Sequence, residues 1–138
     1  MVTDHGQESK HEYESKHNAC LHLLHLNARS ILPELDELHV LCVDNSYDII
    51  CIVESWLSDK VANTELCIPG FTVFRKDRNR HGGGIIVFVK STLPCFILPF
   101  VTPSLLPTQL EFLLLCIEFC KHKFCISVFY RPPSSDVA

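Results

Sequence analysis

The chain has 138 residues, of which 47% are hydrophobic and 20% charged, and its formal net charge is −4. This length suits one domain with a buried core, and the composition excludes a wholly disordered chain. The acidic balance disfavours a protein that is basic over its whole surface, although a local basic patch can still contact nucleic acid.

Neither membrane insertion nor secretion is expected. No uninterrupted apolar run approaches the roughly 18 residues of a membrane span. The polar N-terminus lacks the apolar stretch of a signal peptide. We therefore expect an intracellular protein, nuclear or cytoplasmic. The eight cysteines include no Cys-x-x-Cys pair, and most lie in apolar runs. We expect them to behave as small hydrophobic residues, without a disulfide-linked partner.

The first half of the chain predicts a β–α–β unit. Residues 1–19 read as a disordered polar leader, and residues 19–27 as a strand. Leucines at helical spacing predict a helix over residues 30–44, with Pro33 in its first turn. Residues 48–54 resemble a strand that is buried on both faces. A strand, a helix and a second strand in this order favour parallel pairing and an α/β fold.

The second half predicts two hairpins. Alternating apolar residues form one hairpin over residues 71–90, interrupted by a loop with three consecutive glycines. Residues 94–107 contain four prolines and are predicted to be a long irregular connection. The apolar runs on either side of residues 120–123 form the second hairpin.

Three predicted strands end on a polar residue, at Asn27, Glu54 and Tyr130. In α/β sheets, ligand sites gather at the carboxyl ends of strands. If the strands share a sheet edge, an amide, a carboxylate and a phenol converge, which suits a divalent cation and a phosphate. The alternative is that polar residues simply mark the points where strands reach the surface.

A basic stretch lies in the loop of the first hairpin. Its cations could contact DNA phosphates without sequence preference, or the stretch could be an ordinary solvated loop. The candidate DNA contacts are Arg75, Lys76, Arg78, Arg80 and His81.

Five blocks, in order, resemble one family: "LHLNARSILPELDEL", "YDIICIVESWL", "IPGFTVFRKDRNRHGGGIIVFVK", "LEFLLLCIEF" and "FCISVFYRPPSSD". The chain is similar to the endonuclease/exonuclease/phosphatase superfamily. Within it, the chain most resembles the apurinic-type endonuclease domain that begins the polyproteins of non-LTR (LINE-type), reverse transcriptase-associated retrotransposons.

The resemblance implies a fold and a set of roles. The fold would be a two-sheet α/β sandwich of the deoxyribonuclease-I-like type, with residues 20–138 as its N-terminal portion. Asn27 would contact the metal–phosphate centre and Glu54 would bind the metal, Mg²⁺ or alternatively Mn²⁺. Tyr130 would orient the scissile phosphate. The implied reaction is Mg²⁺-dependent nicking of DNA, with contacts to the phosphate backbone.

Two blocks that follow the Tyr-x-Pro-Pro region in the family do not occur in these 138 residues. One is a Gly-Asp-Phe-Asn block, which carries an Asp-x-Asn motif, and the other is a Ser-Asp-His block, whose histidine acts on the nucleophilic water. The resemblance therefore covers about the N-terminal half of the domain, and we expect a truncated domain that is inactive alone. Two alternatives stay open: a non-catalytic DNA-binding or relic fragment, and a member of the superfamily's phosphatase branch.

Overall fold

The computed structural model describes residues 19–99 and 110–133, which form a mixed α/β fold with two β-sheets. Two 3₁₀ segments, Leu32–Glu34 and Asn63–Leu66, accompany the longer elements. Those elements are β1 (Leu23–Asn27), α1 (Leu35–Asp44), β2 (Ile49–Val53), β3 (Phe71–Lys76), β4 (Ile85–Lys90), β5 (Cys95–Ile97), β6 (Glu111–Phe119) and β7 (His122–Tyr130). Within the described ranges, no helix has both the length and the apolar composition needed to cross a membrane.

The β–α–β prediction is confirmed. β1 and β2 pair in parallel, from Leu23 opposite Ile49 to Asn27 opposite Val53. The predicted helix starts as a 3₁₀ turn that contains Pro33, and it becomes α-helical at Leu35. It ends at Asp44, and the next residue, Asn45, caps it, because its backbone N–H and side-chain amide both donate to the Leu41 carbonyl.

The four-stranded sheet has the order β1-β2-β4-β3, and the three-stranded sheet has the order β5-β6-β7. Every residue of β2 is buried, which agrees with the sequence-based prediction of a strand covered on both faces. Both predicted hairpins are present, as the antiparallel pairs β3–β4 and β6–β7. The turn of the second hairpin has Cys120 at φ 49° and Lys121 at φ 65°, as in the tight two-residue turns that suit strand twist.

The four-stranded sheet lies between two apolar layers. On one face, Cys51 and Val87 pack with Leu115 and Val128 of the second sheet. On the other face, Ile50, Ile52 and Phe88 pack with Leu38 of α1 and with the segment that carries Leu57, Leu66 and Ile68. The central strands β2 and β4 therefore carry apolar residues at every position except Lys90, the last residue of β4, which removes the usual alternation.

One sequence-based prediction needs correction. The segment 94–107 was expected to be irregular, but its residues Cys95–Ile97 form β5 and pair with β6. Pro94 lies just outside the strand, where its carbonyl oxygen accepts a hydrogen bond from the Glu118 N–H. Proline has no backbone N–H, but at this position the sheet loses no hydrogen bond as a result. Residues 100–109, the predicted leader up to residue 18, and residues 134–138 lie outside the described ranges.

The buried Cys51 thiol predicts a loss of stability at high pH. Burial raises the pKa of Cys51 from 9.0 to about 11. The unfolded chain therefore loses this proton first, and the free energy of unfolding should fall as pH rises from 9 to 11. The loss is about 2 kcal/mol for this thiol. Urea unfolding at pH 8 and pH 10.5 measures it. Cys51→Ala should show a smaller drop between the two pH values, and an unchanged drop would contradict this assignment.

Candidate functional site

The carboxyl ends of β1 and β2 remain paired beyond the strands. Ala28 N–H donates to the Val53 carbonyl at 3.0 Å, Ser30 N–H to the Glu54 carbonyl at 2.9 Å, and Ile31 N–H to the Ser55 carbonyl at 3.1 Å. Asn27, the last residue of β1, lies opposite Val53, the last residue of β2. Glu54 follows Val53 directly. The two sequence-predicted residues are therefore neighbours along this edge.

This edge carries unusual backbone geometry. Arg29, Ser30, Glu54 and Trp56 all have positive φ, at 47°, 87°, 58° and 54°. Non-glycine residues rarely adopt this region, and each such residue costs on the order of 1–3 kcal/mol. Strained conformations of this kind concentrate at ligand and active sites, which makes the loops after β1 and β2 the leading candidate site.

The Glu54 carboxylate is held by the indole two residues later. Trp56 Nε1 donates to Glu54 Oε2 at 2.5 Å, and both side chains are partly exposed. A charge-assisted hydrogen bond to one oxygen fixes the carboxylate and leaves Oε1 available to a cation or a donor. The sequence shows this arrangement as the spacing Glu-x-Trp.

Tyr130 lies on the second sheet, so the three predicted residues do not share the edge of one sheet. Tyr130 is the last residue of β7, pairs with Glu111, and packs against the buried cluster between the sheets, which includes Val53. Any convergence with Asn27 and Glu54 is therefore across the two sheets. Their common action on one ligand stays a prediction.

A glycine loop, residues 78–84, lies between β3 and β4 and contacts both sheets near this end. Trp56 N–H donates to the Gly83 carbonyl at 3.0 Å, while Gly84 N–H donates to Glu111 Oε2 at 2.9 Å. A Cβ atom on Gly84 would lie 2.4 Å from the Ser55 hydroxyl oxygen. Glycine at position 84 is therefore required by close approach as well as by its φ of 89°.

Two polar residues at this site were missed by the sequence analysis. Ser55 is fully buried and Glu111 nearly so, and Ser55 Oγ and Glu111 Oε1 are the buried side-chain oxygens that lack a hydrogen bond in the described part of the chain. Arg78 Nε lies 3.6 Å from Glu111 Oε1 and supplies a countercharge. Glu111 is 27 positions from Gly84, so no local pattern could have indicated their contact.

The five predicted DNA-contact residues have different environments. The Arg75 side chain is only 12% exposed, and its guanidinium bonds to Asp77, to the Ser58 and Val61 carbonyls, and to Asn63. Its donors are therefore engaged within the protein. The other four side chains are less confined. Lys76 lies over the Phe112 ring, and the Arg78 side chain is 40% exposed and lies close to Gly82 and Gly83. Arg80 and His81 occupy the exposed tip of the loop.

A cleft of about 280 Å³ opens beside Asn27, between β1 and α1. Its lining is mostly apolar, with Ile31 and Leu38, and it includes the carboxylates of Glu34 and Glu37. Two acidic side chains repel a phosphate, so this cleft is a poor phosphate site. The edge formed by Glu54 and the glycine loop is the better candidate.

The donor set suits a weakly held hard cation. Among the residues that the structure describes, no three His, Cys, Asp or Glu side chains are grouped to hold a metal ion. Glu54 and Asn27 offer a carboxylate and an amide oxygen on adjacent strand ends. Mg²⁺ accepts few protein ligands because it keeps waters and takes phosphate oxygens. The residues therefore fit a cation that binds together with a phosphate ligand.

No protein-family model matches the chain, and no curated protein matches it significantly.

Proposed function

We propose that the chain carries the metal- and phosphate-binding part of a Mg²⁺-dependent DNA endonuclease domain with a deoxyribonuclease-I-like sandwich. The sequence resemblance to non-LTR retrotransposon endonucleases is the reason for proposing this family of enzymes. One observation carries the proposal: a carboxylate, Glu54, follows a fully buried central strand in a strained conformation, beside Asn27 and next to a glycine loop. A carboxylate at such a position is better explained by binding to a cation than by a role in stabilising the fold.

Each residue has a proposed role. Glu54 and Asn27 hold the cation, Mg²⁺ or Mn²⁺, through oxygen atoms. When bound, the cation neutralises charge on the phosphodiester and aligns it for attack. Tyr130 donates its phenolic hydrogen to a phosphate oxygen. Arg78, Arg80 and His81 provide non-specific contacts along the DNA backbone.

The chain has no assigned group for activating water. Efficient hydrolysis needs a general base within hydrogen-bond reach of the nucleophile. The Gly-Asp-Phe-Asn and Ser-Asp-His blocks that supply this chemistry in the resembled family do not occur in these 138 residues. We therefore propose that this polypeptide alone binds DNA phosphate with Mg²⁺ and nicks it slowly or not at all. The same absence favours the second candidate, a non-catalytic DNA-binding fragment.

Glu54→Gln is the variant that tests the metal site. In fluorescence anisotropy with a short DNA duplex, we expect Mg²⁺ to increase affinity about tenfold over EDTA, which equals about 1.4 kcal/mol. Glu54→Gln should remove this increment because a neutral amide binds Mg²⁺ poorly, while the salt-sensitive background persists. Glu118→Gln makes the same charge change at an exposed position of β6 and serves as the control. If Mg²⁺ still increased the DNA affinity of Glu54→Gln, the proposed metal site would be contradicted.

Nicking of supercoiled plasmid separates the two candidate functions. Mg²⁺-dependent nicking by the wild type that disappears in Glu54→Gln supports an active endonuclease. Binding with a Glu54-dependent Mg²⁺ increment but without nicking supports the fragment that only binds.

A further inference from the structure

A thiol and an imidazole form a close pair just before β1. Cys20 Sγ lies 3.1 Å from His22 Nε2, and both residues are exposed. This distance is within reach for proton transfer between sulfur and the ring nitrogen. Exposure of the thiol means that a small reagent can approach the sulfur.

The imidazole is held in one orientation by a third group. His22 Nδ1 lies 3.1 Å from the Ser46 carbonyl oxygen. A carbonyl oxygen can only accept, so Nδ1 carries the hydrogen and Nε2 of the neutral ring presents its lone pair to the thiol. The His22 backbone is also fixed, because its N–H donates to Asp48 Oδ2 and its carbonyl accepts the Asp48 N–H, both at 2.8 Å.

We propose that Cys20 is a site of covalent modification by soft electrophiles, of the class of α,β-unsaturated carbonyl compounds, with His22 as its general base. The arrangement has a nucleophile, a base within hydrogen-bond distance and a group that orients the base, which together characterise activated thiols. The inference is independent of the proposed nuclease site.

The reaction is an addition without a leaving group. His22 Nε2 takes the thiol proton, and the sulfur forms a bond to the β-carbon of the electrophile. The electron pair of the carbon–carbon double bond moves toward the carbonyl to give an enolate. The imidazolium then returns the proton to the α-carbon. The product is a thioether, and no oxidant or reductant is needed.

The chain contains its own control for this geometry. Cys120 and His122 have the same spacing as Cys20 and His22 and are also exposed. Cys120 lies in the β6–β7 turn at φ 49°. Although both residues lie in the described part of the chain, no hydrogen bond joins Cys120 to His122. If spacing alone made a thiol reactive, Cys120 would match Cys20.

The buried and partly buried cysteines should react slowly. Burial raises the pKa of Cys51 to about 11, and burial, with a smaller contribution from Cys116, raises the pKa of Cys95 to about 11. Burial also raises the pKa of Cys42. Less of each thiol is then the nucleophilic thiolate at neutral pH. Cys51, which is also inaccessible, reports on folding, since it becomes labelled when the protein unfolds.

The test is limited labelling of the full chain with N-ethylmaleimide at neutral pH, with rates for each cysteine from peptide mass spectrometry. We expect Cys20 to react at least about tenfold faster than Cys120. His22→Asn keeps an amide donor for the Ser46 carbonyl but removes the base, so it should reduce the Cys20 rate to that of Cys120. His122→Asn should leave the Cys120 rate unchanged.

Two results would overturn the proposal: equal rates for Cys20 and Cys120 in the wild type, or an unchanged Cys20 rate in His22→Asn. Slow labelling of Cys51 in every variant verifies that the compared proteins are folded. Cys20 precedes β1, whereas Asn27 ends it. Modification of Cys20 should therefore leave Mg²⁺-dependent DNA binding intact. The labelling rates test the thiol proposal and the DNA-binding measurements test the nuclease proposal, so either can be contradicted without the other.

Discussion

Gly84→Ala is expected to destabilise the protein by about 3 kcal/mol or more. Gly84 has φ 89°, and a Cβ atom there would lie 2.4 Å from Ser55 Oγ. Ser55 is fully buried, so its side chain cannot move aside into solvent. The variant therefore carries both a backbone penalty and a collision. The free energy of unfolding from urea titration measures the loss.

Gly70→Ala is the matched control for the backbone penalty. Gly70 has φ 84°, but a Cβ atom there would meet nothing within 4 Å. We expect a cost of about 1 kcal/mol, from the left-handed conformation alone. Similar losses in Gly70→Ala and Gly84→Ala would contradict the predicted collision.

Ser55→Ala provides a rescue of the same collision. Its hydroxyl oxygen is buried without a hydrogen bond, so the single variant should be neutral or slightly stabilising. In the double variant, the alanine at position 84 no longer meets Oγ, and part of the lost stability should return.

Arg75→Ala should also cost about 3 kcal/mol, since it leaves several acceptors unpaired. The guanidinium bonds to both Asp77 oxygens and to the Ser58 and Val61 carbonyls, at 2.6–3.0 Å. Arg75→Lys should recover little, because an ammonium group cannot reproduce the planar fork. Urea unfolding and limited proteolysis across residues 58–63 measure the effect.

Arg80→Ala is the control for Arg75→Ala, because Arg80 lies at the exposed loop tip. Its effect on stability should be within about 0.5 kcal/mol. If Arg75 were instead a DNA contact only, Arg75→Ala would weaken DNA binding and leave the unfolding curve unchanged.

Much of the fold could be predicted because its pairings are local or follow from parallel topology. The spacing of the leucines indicated α1, and the uninterrupted apolar run of β2 indicated a strand in the buried centre of the sheet. β5 was missed because its three residues lie between Pro94 and Pro99, which favoured an irregular segment. The placement of β6 and β7 in a second sheet depends on packing between layers, which strand patterns do not specify.

The candidate site could be predicted from the sequence only where the ends of neighbouring strands form it. Parallel pairing placed Asn27 beside the end of the strand that precedes Glu54. Tyr130 was correctly placed at the end of a strand, but its sheet could not be inferred. The different environments of Arg75 and Arg80 follow from the position of the 58–63 segment, which no local pattern indicates.

The parallel pairing of β1 with β2 has a consequence for the order of folding. The β6–β7 hairpin closes through a two-residue turn, whereas Leu23 of β1 pairs with Ile49, 26 positions later. Closing long loops costs entropy before contacts compensate, so non-local strands join slowly. We expect β1 to dock after the hairpins have formed. In pulsed hydrogen exchange, the Ser30 and Ile31 amides should gain protection later than those of β6, so the edge that carries Asn27 and Glu54 would be completed last.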